Sequence, residues 1–426
     1  MPFIENTDKF QKWRYDVSEM YILYPDGSKT ELPPYRVQSI SITHLYETNL
    51  FPIFRVELML SSYTYYKIIK NKDRVKFKIR IQKFYTDIDS SEKSLYRDYI
   101  NDTYDLILDN DDYNADEHLI KERNKLDYEN ISNRKEENDI NEVTSKIEFF
   151  LYKSELIDKM NTIVNNIISN ATVNDGIQYI ATRIGLNNIL MSNPHNTTNY
   201  KELVIPPLKA KQAIKFLDTY YGLYKTGMMF YIDFVGNITY LLEYNSKCTA
   251  YQRNENKETD ILIPLKSNNY ASHICSLYRR GNTEKHFIIA DNAHIAIRNE
   301  TISQNAYAST DAKIIDTYSG DIQTSSSTAK VKDTKSIQII KNNTENNMFS
   351  TMYDSIINTK NVVIDILLAD YDISALTPNK AFKSVFEDTS LSIKYRKNLL
   401  LSQAEHNLTR DGDSFKLTSM IKIKQL

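Results

Sequence analysis

A strict two-residue alternation of apolar and charged or polar side chains constrains this chain most strongly. The stretch is residues 75–82, where Val75, Phe77, Ile79 and Ile81 alternate with Lys76, Lys78, Arg80 and Gln82. Because successive side chains of a strand point to opposite faces, the pattern predicts an antiparallel strand with one buried and one solvated face. The chain is therefore expected to contain sheets that are apolar on one side only.

Similar signals lie near both ends of the chain. Residues 54–60 alternate in the same way, and Pro25-Asp26-Gly27-Ser28 predicts a hairpin turn. Near the C-terminus, Asp411-Gly412 separates two further alternating stretches, residues 400–408 and 415–423. These patterns predict one β region at each end of the chain.

The middle of the chain, residues 154–245, predicts a small α/β domain with two helices and a hairpin. Thr172 or Asn174 is a candidate cap for the first helix, which Gly185 ends. The second helix has apolar residues at helical spacing from Ala210 to Leu217. Gly236-Asn237 then predicts a two-residue hairpin turn.

Two segments interrupt the strand patterns. Residues 86–142 hold 18 acidic residues against 7 basic ones and are predicted to be an insertion outside the folded core. Residues 300–360 are rich in Ser, Thr and Asn and predict a long polar loop or ribbon. The predicted domains are therefore 1–153 with the acidic insertion, 154–245, and 246–426 with the polar loop. The fold class is α+β and mainly β.

Composition limits the classes of protein to consider. A chain of 426 residues is expected to form two or three packed units. Its net charge of -2 gives no overall attraction to nucleic acid or to an anionic membrane. Two cysteines, Cys248 and Cys275, fit a protein assembled in a reducing cytoplasm, although a bridge between them stays open. No apolar run resembles a signal peptide or a membrane span, so a soluble, unexported chain is expected.

Sequence motifs for catalysis, cofactors and metals are missing. The seven histidines include no zinc-helix pair, and neither a nucleophile elbow nor a phosphate-binding glycine loop occurs. We therefore predict no catalytic residue, no cofactor and no metal site. Zinc at Cys248, His273 and Cys275 and calcium in the acidic run 109–117 remain alternatives with unsuitable ligand spacing. A pair of carboxylates acting on glycans also stays open, because sequence alone does not pair them.

Lys76, Lys78 and Arg80 form a basic row on one face of the predicted strand at 75–82. Further cations flank it at Lys72, Arg74 and Lys83. If that face lined a pore, the row would approach phosphates. The alternative is an ordinary solvated face.

The order of several motifs resembles that of baseplate hub proteins from tailed phages. The similarity lies in Tyr24-Pro25-Asp26-Gly27, in residues 47–52 and 205–222, and in residues 376–388 with the later Asp411-Gly412. The resemblance covers about two thirds of the chain and omits the acidic insertion and the polar loop.

This resemblance implies two tube-type antiparallel β-barrel domains on either side of the α/β domain. It also implies a homotrimer whose six barrels form a ring between the tail tube, or its initiator protein, and a central spike. DNA would only pass transiently through the pore, and no membrane partner is expected. Other baseplate proteins are the expected partners of residues 86–142. The expected location is the virion tail, after assembly in the host cytoplasm.

Two other classes of function remain as alternatives to this non-enzymatic hub. One is a tail-associated glycan or cell-wall hydrolase, which requires two carboxylates facing each other in a cleft. The other is a host receptor-binding module whose exposed aromatic residues bind sugars.

Overall fold

A computed structural model of the chain describes residues 9–71, 74–87, 95–108, 144–224, 228–243, 259–263, 275–280, 283–298, 312–316, 322–325, 337–341, 361–378, 381–386 and 399–425. The strands are β1 (Lys9–Leu23), β2 (Lys29–Glu31), β3 (Val37–Leu45), β4 (Ile53–Ser61), β5 (Lys76–Asp87), β6 (Arg97–Leu108), β7 (Thr144–Tyr152), β8 (Ile163–Ala171), β9 (Ile189–Met191), β10 (Tyr200–Lys209), β11 (Met228–Asp233), β12 (Ile238–Glu243), β13 (Thr259–Ile263), β14 (Cys275–Arg280), β15 (Thr283–Arg298), β16 (Ala312–Asp316), β17 (Ile322–Ser325), β18 (Ile337–Lys341), β19 (Asn361–Ala369), β20 (Ala381–Phe386), β21 (Leu399–Asp411) and β22 (Ser414–Gln425). The helices are α1 (Ser62–Lys70), α2 (Ser154–Asn161), α3 (Val173–Ile184) and α4 (Ala210–Tyr220), with short 3-10 turns at Pro34–Arg36 and Ile373–Ala375.

Eight antiparallel strands close into a barrel. Their order is β1, β5, β6, β7, β4, β3, β21 and β22, and β22 returns to β1. The apolar positions of the alternating patterns point inward and fill the interior, as Phe77, Val56 and Leu417 illustrate, all three fully buried. The strand expected at residues 75–82 and the hairpins at residues 25–28 and 411–412 are confirmed.

The barrel closes at a narrow seam between β1 and β22. These strands pair only at Tyr15 and Phe415 in the part of the chain that the structure describes. Beyond that pair β1 continues along β14, and β22 continues along β19. Asp370 bridges the point of divergence, because its N–H donates to Leu417 O at 3.1 Å and its carbonyl oxygen accepts from Trp13 N at 2.9 Å.

A second set of paired strands also closes into a ring. Its six strands are β13, β20, β21, β22, β19 and β15, so the C-terminal hairpin β21–β22 belongs to both rings. The sequence assigns this hairpin to the second domain alone, since alternation predicts a strand but does not identify its partners. The expectation of purely antiparallel pairing also fails here, because β13 pairs in parallel with β15 and β20.

The predicted insertion 86–142 begins too early. Strand β6 lies inside that range and pairs with β5 and β7 as a member of the barrel. Its buried residues are Ile100, Tyr104 and Leu106. The three intervening aspartates, at 98, 102 and 105, give the strand an acidic appearance in the sequence although they are not part of the buried core. Residues 88–94 and 109–142 of the predicted insertion lie outside the described residues.

The predicted polar loop 300–360 also contains strands. Within it, β16 pairs with β17 on one side and β18 on the other, which gives a small antiparallel sheet. The expectation of a loop is therefore wrong for these three short segments. Each holds only four or five residues, too few for a clear alternation. The remaining residues of 300–360 lie outside the description.

Residues 154–243 build a second hydrophobic core from three helices and two small sheets. Helix α3 has Thr172 as its N-cap, which forms a reciprocal capping box with Asp175, and Gly185 as its C-cap with φ +64°. Helix α4 is the second helix that the sequence predicted, and the strand pair β8–β10 that precedes it was not predicted. The sequence missed α2, and the turn between β11 and β12 has four residues, 234–237, instead of two.

The hairpin β11–β12 joins the two cores. Met229 and Tyr231 of β11 pack with the barrel interior, whereas Ile232 packs with the helices. On β12 the same division separates Tyr240 from Leu241. One face of this hairpin therefore covers the barrel interior while its other face belongs to the α/β core.

Candidate functional site

The predicted basic row lies on the outer face of β5, between β1 and β6. Lys76 is exposed, and Lys78 and Arg80 are half-exposed. Arg80 donates to Asp98 of β6 at 2.9 Å and to Glu19 of β1 at 3.0 Å. The hydrogen bond from Arg80 lowers the pKa of the Asp98 carboxyl. Acidic neighbours on both sides therefore offset the charge of Arg80.

Other members of the row are separated by the fold. Lys78 donates to Asn101 Oδ1 at 2.6 Å, and Arg74 is exposed at the start of the strand. Lys83, expected to extend the row, is instead buried, while Lys72 lies outside the described residues. A position of the row inside a pore stays a prediction.

Lys83 anchors residues 370–376, a segment whose apolar side chains pack into the barrel core and which we name the plug segment. The Lys83 ammonium donates to both carboxylate oxygens of Asp372, at 2.7 and 2.9 Å, and to Ser374 Oγ at 2.7 Å. It also lies 5.6 Å from the ring centre of Trp13. Arg14 forms a second ion pair with the fully buried carboxylate of Asp370. Two ionic contacts therefore hold the plug segment to β1 and β5.

A buried tyrosine completes this attachment. Tyr15 is fully buried, and its hydroxyl donates to the carbonyl oxygen of Tyr371 at 3.0 Å. The same hydroxyl accepts from the N–H of Ile373 at 2.9 Å. Burial raises the pKa of the Tyr15 phenol, so the hydroxyl stays protonated and able to donate.

Two histidines face each other in the barrel interior. His44 of β3 and His406 of β21 are both buried, with ring centres 5.6 Å apart. His44 Nδ1 lies 2.9 Å from the Tyr231 hydroxyl, and His406 Nδ1 lies 3.1 Å from the Tyr371 hydroxyl. Each imidazole thus binds a different covering element, the β11–β12 hairpin or the plug segment.

The surroundings of these rings favour their neutral forms. Burial lowers the pKa of His44, and the nearby Asp233 opposes this effect. The pKa of His406 is lowered well below its ordinary value by burial and by the neighbouring His44. Ser419 Oγ lies 2.9 Å from His406 Nδ1, which gives the neutral ring a second hydroxyl partner. Both imidazoles are therefore uncharged in the folded chain at neutral pH.

An apolar surface lies on the α/β part of the chain. Ile163 and Ile167 of β8 are 68% and 62% exposed, and Val204, the pairing partner of Ile167, is 39% exposed. Two backbone groups of this sheet already have tyrosine partners, since Tyr221 OH accepts from Val204 N and Tyr179 OH donates to Asn165 O. This arrangement disfavours addition of another strand at these groups and leaves the apolar face available for contact.

The described part of the chain shows neither a metal-site cluster nor a membrane-spanning helix. No group of three or more His, Cys, Asp or Glu residues in the described ranges has metal-site geometry. The calcium alternative at 109–117 and the Cys248 and His273 ligands lie outside those ranges, and the side chain of Cys275 is not described. None of the helices within the described part has the length and apolarity needed to cross a membrane.

The sequence did not identify the residues that join the covering elements to the barrel. Tyr15, Lys83, His44 and His406 are buried residues of β1, β5, β3 and β21, and only His406 lies in a stretch for which the sequence predicted a strand. Such a residue can be recognised in a sequence as a polar or basic side chain at a strand position where the alternation requires an apolar one. His406, for example, falls within the alternating stretch 400–408. Such a residue in an apolar register indicates a buried partner.

Several solved structures are similar to this chain at low sequence identity. The 43 kDa tail protein of prophage MuSo2 from Shewanella oneidensis is 11% identical, with a TM-score of 0.46 and coverage of 95% of this chain and 97% of that one. A tail protein from Neisseria meningitidis MC58 is 8% identical, with a TM-score of 0.41 and coverage of 97% and 96%. A p2 virion baseplate chain is 11% identical, with a TM-score of 0.31 and coverage of 96% and 98%. Among curated proteins, none matches the chain.

One protein-family comparison covers nearly the whole sequence. The family described as "Bacteriophage PBS1 gene 109 protein" matches residues 6–414, a range that includes seven of the eight barrel strands, the α/β core and the plug segment. This match confirms the expected relationship to phage proteins. Because it extends over well more than half of the 426 residues, the chain belongs to the bacteriophage PBS1 gene 109 protein family.

Proposed function

We propose that the chain is a non-enzymatic structural hub of a phage tail baseplate. In this proposal three copies form a ring that joins the tail tube to a central spike. The observation that carries the proposal is the pair of strand rings that share the hairpin β21–β22. Membership of a bacteriophage protein family supports a role in a virion.

The shared hairpin suits a subunit that contributes two similar units to one ring. We infer that the six-stranded ring is a second tube-type barrel and that residues 154–243 form the α/β domain between the two. Strands common to both rings restrict bending between them, because bending would break ladder hydrogen bonds. Three such chains would present six barrels, which fits three-fold symmetry on one side and six-fold symmetry on the other.

The expected partners follow from this arrangement. They are two further copies of the chain, the spike protein, and the tail tube or its initiator protein. We infer that residues 109–142, the part of the predicted insertion beyond β6, contact other baseplate proteins. The protein would be assembled in the host cytoplasm and would remain in the tail baseplate of the virion.

The outer face of β5 is proposed to face the lumen of the ring. Lys76, Lys78 and Arg80 would then approach the phosphates of DNA during its passage. Tight binding is not expected, because Asp98 and Glu19 offset the charge of Arg80. Weak contact suits a channel through which DNA must move.

The mass of the full-length chain in solution tests the proposal. Native mass spectrometry of the purified chain, alone and after co-expression with the spike protein of the same phage, is expected to detect a trimer. A strictly monomeric chain under both conditions would contradict the hub. Incubation of the same preparation with purified cell wall tests the hydrolase alternative, because the release of soluble fragments would favour an enzyme over a structural hub. Direct binding of host glycans by the isolated chain would instead favour a receptor-binding module.

A further inference from the structure

Both elements that cover the barrel interior contact one pair of histidines, in addition to the ion pairs and the Tyr15 contacts of the plug segment. The hairpin β11–β12 reaches His44 through the Tyr231 hydroxyl, and the plug segment reaches His406 through the Tyr371 hydroxyl. These covering elements come from distant parts of the sequence. Their attachment points nevertheless lie together, because the two imidazole centres are 5.6 Å apart.

We propose that His44 and His406 form an acid-sensitive latch that holds both covering elements on the barrel, and that protonation of the pair releases them. The latch goes beyond the proposed hub role, since it concerns a conformational change within one chain. It requires only the barrel and its two covering elements.

The groups that face the two rings explain why acid would open the latch. His44 stacks on Tyr46, with ring centres 5.4 Å apart, and contacts Tyr231 and His406. Asp233 of β11 is the charged group that acts on His44, but its Oδ1 atom already accepts from two backbone N–H groups, those of Val235 and Gly236, each at 3.0 Å. The attraction of this carboxylate for a protonated His44 ring is smaller than the cost of burying that positive charge.

His406 has neutral partners on the remaining sides. Tyr371 of the plug segment and Ser419 of β22 offer hydroxyl groups, and His44 offers a second titratable ring. In the described part of the chain, neither imidazole makes an ion pair with a carboxylate. Two imidazolium ions at this separation would repel each other in a medium of low dielectric constant.

The direction of the pH dependence follows from the environment of the rings. Burial lowers the pKa of both histidines below the ordinary value of 6.5. The released form, in which the rings meet water, binds more protons than the closed form at pH values below about 6.5. The closed form is therefore most stable relative to the released form above about pH 6.5, and it loses stability as the pH falls below that value.

The single tryptophan of the chain reports on the plug segment. Trp13 is buried, its backbone N–H donates to Asp370 O at 2.9 Å, and its ring centre lies 5.6 Å from Lys83 Nζ, which binds Asp372. Release of residues 370–376 would expose the indole to water. We expect the emission of the full-length chain to shift reversibly to longer wavelength below pH 6.5, with increased quenching by acrylamide and little change in strand content by circular dichroism.

Variants distinguish the effect of protonating the two histidines from the effect of protonating carboxylates, which also titrate in acid. The double variant His44→Asn/His406→Asn keeps polar side chains that acid cannot charge near neutrality, and its transition is expected to move down by about one pH unit or more. His195→Asn is the matched control, because His195 lies at the α/β part beside Glu243 and outside the histidine pair. Identical transitions in the wild type and the double variant would overturn the latch.

Hydrogen exchange of the wild-type chain tests the latch even if the double variant does not fold. After correction for the intrinsic pH dependence of exchange, residues 371–376 and 229–232 are expected to lose protection between pH 7.5 and 5.5. Residues 54–58 of β4, in the barrel wall, should keep theirs. Unchanged protection of both covering elements over this range, or unchanged Trp13 emission, would overturn the proposal.

Discussion

The Tyr15 hydroxyl donates a hydrogen bond to the carbonyl oxygen of Tyr371 at 3.0 Å, across 356 positions of sequence. This contact lies beside the seam where β1 and β22 separate and where Asp370 bridges the two strands. The first and last strands of the described chain therefore close one barrel, and a segment that precedes the last hairpin completes the closure.

Tyr15→Phe removes one hydroxyl that serves two buried backbone groups, Tyr371 O and Ile373 N. We expect a loss of about 2 kcal/mol in the free energy of unfolding, because both groups would be left without this partner. Chemical denaturation of the full chain measures the loss. Tyr35→Phe is the control, since Tyr35 is 57% exposed. Equal effects of the two substitutions would show that the Tyr15 hydroxyl has no special role.

Lys83→Met leaves the Asp372 carboxylate without its ammonium partner while preserving most of the side-chain volume. The two side chains are only 11% and 23% exposed, so solvent does not replace the lost contact fully. The expected loss of stability is about 3 kcal/mol. The double variant Lys83→Met/Asp372→Leu should recover part of it, because no unpaired charge remains. A double-mutant cycle with no coupling energy would contradict this description.

Two deletions test whether the insertion begins after β6, as in the structure, or at residue 86, as the sequence predicted. Replacement of residues 110–142 by a flexible linker of about twelve residues should retain the fold, because such a linker spans the distance between the ends of β6 and β7. Deletion of residues 86–142 also removes β6 and should abolish soluble expression. The yield of soluble protein and its circular dichroism compare the two. A folded product from the longer deletion would mean that β6 is dispensable.

Asp218→Asn is expected to stabilise the chain at neutral pH. Burial raises the pKa of Asp218 to about 6, although its Oδ1 atom accepts a hydrogen bond from Leu223 N at 3.3 Å. A carboxyl with a raised pKa in the folded state lowers stability as the pH rises from about 4 to 6. The gain should be about 2 kcal/mol at pH 8 and small at pH 4. Denaturation at the two pH values measures it, and a pH-independent effect would contradict the assigned cause.

Strands, turns and helix ends followed closely from local sequence. Thr172 and Gly185 delimit α3, and Gly412 marks the turn between β21 and β22 at φ +64°. Each of these features depends on neighbouring residues only. The same local reasoning misassigned β6, because its outward aspartates resemble the acidic segment that follows it.

Pairing between distant strands did not follow from the sequence. Alternation in β22 predicts a buried face, but it does not show that β22 pairs with β1, β19 and β21. The attachments made by Lys83 and His406 were missed for the same reason. A polar residue in an apolar register indicates a partner, and only the three-dimensional arrangement identifies it.

Electron cryomicroscopy of the assembled chain tests the central claim most directly, because it determines symmetry and fold together. The account predicts a three-fold symmetric ring of six barrel densities, in which the hairpin β21–β22 connects the two barrels of each chain and the outer face of β5 lines the lumen. A single barrel per chain, or an assembly without three-fold symmetry, would contradict it.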